Sequence, residues 1–122
     1  MPKSIIRPLS DAEMEAYREP LRQQVRRLPT LVWPRELPID GEPADVVAAV
    51  ERYGAWLTRS RIPKLLINAD PGALLTGRAR EFCRSFPNQR EVTVQGHPLC
   101  QEDSPAEIGS ALRTFLKELR AG

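Results

Sequence analysis

Cysteine is scarce in this chain: Cys83 and Cys100 are the only two among 122 residues. Two do not make a disulfide framework, so a reduced, cytoplasmic compartment is expected. Histidine is scarcer still, with His97 alone. No apolar run approaches the ~20 residues of a membrane span; the longest candidates are short, such as Leu65-Leu66-Ile67. The opening Met1-Pro2-Lys3-Ser4-Ile5-Ile6-Arg7 lacks the apolar stretch of a signal peptide. An excess of one charge is lacking too. Eighteen basic against 16 acidic residues leave a net charge of +2, too balanced to point to nucleic acid or an anionic membrane as partner. No internal repeat or low-complexity segment is visible. The length suits one domain, of the usual roughly 100–200 residues.

What the chain has in excess is proline, 12 residues, about twice the usual share. Four of them, Pro29, Pro34, Pro38 and Pro43, fall within residues 28–43. Each removes a donor and biases its predecessor away from helix, so this stretch is expected to be extended or looped. Its Leu31, Val32, Trp33, Leu37 and Ile39 suggest packing across a surface. Helical signals lie on either side. Ser10-Asp11-Ala12-Glu13 is a capping box, and the helix it opens should stop near Pro20. Val46, Val47, Val50, Tyr53 and Leu57 make one face of a second helix, which begins at Pro43 and ends before Pro63.

The second half reads as strand, helix, strand, helix. Lys64–Asn68 is apolar at successive positions, the pattern of a parallel strand covered on both faces. Asp70-Pro71-Gly72 reads as a turn. Thr76 is expected to cap a helix whose Ala79, Phe82, Cys83 and Phe86 point one way. A second strand is expected at residues 91–95, and a loop from Gly96 to Asp103. Ser104-Pro105-Ala106-Glu107 then opens the last helix, with Ile108, Leu112, Phe115, Leu116 and Leu119 on its apolar face. Two parallel strands do not close a sheet, and the first would leave an apolar edge unpaired. The chain is therefore expected to be part of a larger α/β fold, unless strands near Ile5 or Leu31 complete it.

Several stretches, in order along nearly the whole chain, carry a resemblance. They are Ile6-Arg7-Pro8-Leu9-Ser10, Trp33-Pro34-Arg35-Glu36-Leu37-Pro38-Ile39, Gly41-Glu42-Pro43-Ala44-Asp45, Pro63-Lys64-Leu65-Leu66, Asp70-Pro71-Gly72-Ala73-Leu74, Phe86-Pro87-Asn88 and Gln101-Glu102-Asp103-Ser104-Pro105. The set resembles the C-terminal part of a haloalkane dehalogenase. The resemblance implies an incomplete α/β-hydrolase fold: cap-domain helices, then the last two parallel strands and helices. Residues 1–43 would be the C-terminal part of the helical cap with its proline-rich loop. Residues 44–122 would be the C-terminal βαβα part of the core.

The reaction implied is hydrolysis of a carbon–halogen bond to alcohol and halide. An Asp carboxylate displaces the halide and forms an alkyl-enzyme ester, which a His-activated water hydrolyses. By the resemblance the nucleophile, the halide donors and the carboxylate that orients the His belong to a part this sequence does not hold. The isolated chain is thus expected to be inactive. The family's base stands three positions before Gln-Glu-Asp; here that position is Pro98, and His97 stands one earlier. His97 is the one catalytic candidate, and a surface-loop histidine is the plainer account of it. The substrate-pocket candidates are Trp33, Pro34, Leu37, Ala73, Leu74 and Leu99.

Neither metal nor organic cofactor is implied. The partner expected is a small apolar halogenated substrate, and only with the N-terminal part supplied; the alternative is a non-enzymatic truncated product or a binding or complementing module that associates with another chain or with itself. Asp70 as a triad acid is set against an ordinary turn. The usual acid position after this strand is Gly72. Glu102 and Asp103 read as favourable charge near a helix N-terminus, and the arginines as a solvated face.

Overall fold

The structure, a computed structural model, describes residues 4–121. Met1, Pro2 and Lys3, at the start of the segment read for a leader, lie outside it, as does Gly122. Two compact units form: one from Leu9–Leu57, the other from residues 4–8 together with 58–121.

The first unit is helical. α1 spans Asp11–Arg18, and its capping box is complete. The Glu13 carboxylate accepts from the Ser10 N–H at 2.8 Å, and the Ser10 Oγ accepts from the Glu13 N–H at 3.3 Å. Short 3-10 turns follow at Glu19–Leu21 and Gln24–Arg27. The proline-rich stretch departs from expectation. It holds a short helix, α2, Leu28–Val32, and a 3-10 turn, Trp33–Glu36. Pro29 and Pro34 stand in the first turns of these elements, where the missing N–H would have had no helical partner. α3 runs from Ala44 to Leu57. Its buried residue is Gly54, while Tyr53 is left 55% exposed.

The second unit is built on two parallel strands. β1, Lys64–Pro71, pairs with β2, Gln89–Gly96, from Lys64 opposite Gln89 to Pro71 opposite Gly96. β1 is longer than expected: it continues through Asp70 and Pro71, which the sequence suggested as a turn. The chain turns at Gly72 instead, with φ +63°. The entry to the strands is pinned by Lys64, whose Nζ donates to the carbonyls of Ser60, Ile62 and Pro87 at 2.5–2.9 Å.

α4, Gly77–Arg84, is the crossover between the strands. It is tied to the sheet by the ion pair of Arg84 with Glu91, whose other oxygen contact is the Asn68 amide. Thr76 precedes α4, but its side chain makes no capping bond. The expected loop after β2 contains a short helix, α5, Cys100–Asp103. The last helix, α6, spans Pro105–Ala121. The Ser104 hydroxyl donates to the Gln95 carbonyl at 2.7 Å, which joins the start of α6 to β2.

Among the described residues, β1 pairs with β2 alone, so its other edge is open. The buried apolar residues are Ile5 and Val94. Leu65, Leu66 and Ile67 are only half-buried, although their pattern is that of a strand covered on both faces. On α6, Leu112, Leu116 and Leu119 remain 45–47% exposed. These surfaces lack the cover that their composition calls for.

Candidate functional site

At the carboxyl ends of the two strands lies the crevice where open α/β sheets bind ligands. A cavity of about 140 Å³ is lined there by Ile67, Ala69, Gly72, Ala73, Leu74, Leu75, Pro98 and Cys100. Two glycines make its geometry. The Gly72 N–H donates to the Gly96 carbonyl at 2.9 Å, joining the strand ends. A Cβ at Gly72 would stand 2.7 Å from the Ala69 carbonyl oxygen, and one at Gly96 2.5 Å from the Cys100 Cβ. Neither position admits a side chain without movement, so Gly72, where an orienting acid would stand, holds none. Arg80 ties together two residues of the lining, Ala69 and Leu75. Its Nη2 donates to the Ala69 carbonyl at 3.0 Å, and its Nε to that of Leu75 at 2.9 Å.

The turn after β2 is held by Asp103. Its Oδ1 accepts from the N–H groups of Ile6 and Arg7 at 2.8 and 3.0 Å, and its Oδ2 from the His97 N–H at 3.2 Å. Loss of hydration pushes this carboxyl up. The N–H bonds from Arg7, His97 and Ile6, with the His97 charge, outweigh that and hold it below the ordinary aspartate value. Glu102 is engaged beside it: its carbonyl and carboxylate accept from the Arg7 guanidinium at 2.6 and 3.1 Å. The helix-terminus account of these two acids is therefore incomplete, since both bind a segment some 95 residues away. No local sequence signal carries such a contact.

The expected site residues fall in both units. Ala73, Leu74 and Pro98 meet at the crevice, with Leu74 itself 80% exposed. His97 is half-buried and is not among the residues lining the cavity. Only its backbone is held, and its imidazole forms no hydrogen bond among the described residues. Leu99 is half-buried, with its N–H donated to the Ser4 carbonyl at 3.1 Å. Trp33, Pro34 and Leu37 belong to the helical unit, where Trp33 is 72% and Leu37 47% exposed. Asp70 is exposed at the end of β1. Among the described residues no three His, Cys, Asp or Glu side chains gather to hold a metal ion. Cysteine pairing is absent as well, with Cys83 and Cys100 both free.

No family model matches the sequence. Individual proteins do. A haloalkane dehalogenase of Sphingobium indicum is 60% identical over 121 residues, which is 98% of this chain and 41% of that protein. A coelenterazine h 2-monooxygenase of Renilla reniformis is 40% identical over 98% of this chain and 39% of its own length. The crystal structure of a haloalkane dehalogenase from Bradyrhizobium elkani superposes with a TM-score of 0.92 at 41% identity, over 98% of this chain and 42% of that one. The chain thus spans about two fifths of the length of the relatives it matches. In sequence and in backbone it corresponds to the C-terminal part of a haloalkane dehalogenase, an incomplete α/β-hydrolase fold of helices and two parallel strands.

Proposed function

We propose that this chain carries the C-terminal portion of a haloalkane-dehalogenase site and releases no halide by itself. The reading rests on one observation above all: Pro98 lines the crevice; by the resemblance this is where the family's base would stand, and a proline can neither accept nor donate a proton. In the parent reaction a carboxylate oxygen attacks the carbon that bears the halogen. The carbon–halogen bond breaks, halide leaves with the bonding pair, and an ester remains. Water, giving a proton to an imidazole, then cleaves the ester to alcohol. The one imidazole of this chain, that of His97, has no carboxylate hydrogen-bonded to it among the described residues. His97 is the only side chain here suited to the base role, and the nucleophile and halide donors would come from an N-terminal part.

The substrate class in such an assembly is a small apolar haloalkane, because Ala73 and Leu74 supply an apolar lining. By the resemblance, Trp33, Pro34, Leu37 and Leu99 are the further substrate-pocket candidates. In this reading residues 1–43 are the cap portion and residues 44–122 the core portion. No helix among the described residues is long and apolar enough to cross a membrane, and we assign the chain to the cytoplasm. The test is halide release from 1-bromo- and 1-iodoalkanes by the purified chain. The expected rate is that of buffer alone; release above that background overturns the proposal.

The open edge of β1 favours a second reading, a non-enzymatic chain that associates with another. An unpaired strand edge beside exposed apolar side chains is a template for pairing. A separately made N-terminal part of the Sphingobium relative should then co-elute with this chain on size exclusion. If the chain pairs with itself instead, its elution volume will fall as concentration rises. Elution as a monomer at all concentrations, alone and mixed, removes this second reading.

A further inference from the structure

We propose that Asp103 is a positioning residue that clasps the Ser4–Arg7 segment to the turn carrying His97 and Pro98, so that the two move as one. The carboxylate does this with both oxygens. Oδ1 takes two N–H donors from one segment, Ile6 and Arg7, and Oδ2 takes the His97 N–H from the other. All three donors are backbone groups, so the clasp sets main-chain position and depends on no rotamer but that of Asp103 itself. It needs an acceptor on each side, which an ionised carboxylate offers and an amide, with one oxygen and one NH2, does not.

Two neighbouring contacts run between the same segments. The Arg7 guanidinium binds Glu102, and the Leu99 N–H reaches the Ser4 carbonyl. Gly96 permits the arrangement, because a Cβ there would stand 2.5 Å from the Cys100 Cβ and 2.8 Å from its Cα, in the short helix that carries Asp103. That the clasped turn belongs to a dehalogenase site rests on the function proposed above; the clasp itself does not.

The test is amide hydrogen exchange by NMR on the full chain, which reads the clasp without any activity. In the wild type the amides of Ile6, Arg7 and His97 should be protected and should open together, with protection factors within about threefold of one another. Protection factors more than tenfold apart, or amides exchanging at unprotected rates, overturn the proposal, and this arm needs no variant. In Asp103→Asn the single carbonyl oxygen can serve one side only. Either His97 or the Ile6 and Arg7 pair should lose protection by about tenfold or more. The amides joining β1 to β2 should hardly change. An equal loss throughout the sheet means general destabilisation and also overturns the proposal. A clasp seen by exchange together with halide release by the chain would sink the proposed function and leave the clasp standing.

Discussion

Gly96 sits where the backbone of β2 runs against the first turn of α5, and the space for a methyl group is missing. A Cβ would lie 2.5 Å from the Cys100 Cβ and 2.8 Å from its Cα, so the backbone itself must move. Gly96→Ala should therefore cost about 1–3 kcal/mol, read as a lower urea midpoint; an unchanged midpoint would mean that the turn is loose. Asp103 makes the other residue-scale prediction. Its carboxyl titrates below the unfolded reference of about 3.9. Its contribution to stability is thus complete above that reference and is lost as pH falls through the lower folded value. Urea midpoints between pH 6 and pH 2 should fall less steeply for Asp103→Asn than for the wild type. Part of the slope will persist, because the Arg84 partner lowers Glu91 in the same way. Parallel slopes would contradict the assignment. His97 and Pro98 drew attention only through the family resemblance, which sets the base three positions before Gln101. Asp103 stayed hidden because two of its three donors stand 96 and 97 residues away.

Among the elements, α4 shows how to tell a strong tether from a weak one. Besides the Arg80 bond to the Ala69 carbonyl and the Gln89 amide bond to the Cys83 carbonyl, it is attached by the Arg84–Glu91 ion pair, whose side chains are 47% and 30% exposed. Removing Arg84 as Arg84→Ala should lower the urea midpoint only slightly, as for other exposed pairs. Glu91 is different because it also accepts from the amide of Asn68, which is 1% exposed and whose Oδ1 has no partner among the described residues. Glu91→Ala leaves both polar atoms of this buried amide unsatisfied, a larger loss than that of an exposed ion pair. Chemical denaturation of the two variants should rank Glu91→Ala as clearly less stable, and equal midpoints would contradict this. Most elements were legible in the sequence. The capping box at Ser10, the apolar run at Leu65 and Pro105 at the head of α6 each act over a few residues. Beside the missing Thr76 cap and the short helix α5, the failures were at prolines. Pro29 and Pro34 open short helical elements, and Pro71 ends a strand. Proline excludes positions within an element but fits its ends, and only neighbouring structure decides which applies.

For the whole molecule the governing fact is uncovered apolar surface. Val25, Trp33 and Leu74 are each more than 70% exposed, while Ile5 and Val94 are the buried apolar residues among those described. The sequence foretold this imbalance, since two parallel strands cannot cover residues as apolar as Leu65, Leu66 and Ile67. It could not foretell which faces stay open, because that depends on what α6 and α4 fail to reach. A monooxygenase is alike over the same stretch, so likeness here does not by itself name a reaction, and the residues at the strand ends must be tested directly. The decisive measurement is halide release from 1-bromoalkanes by the purified chain, before and after addition of the N-terminal part of the Sphingobium relative. The account predicts the buffer rate for the chain alone. Release above background by the chain alone would mean that a nucleophile and a base already operate within these residues, and would contradict it.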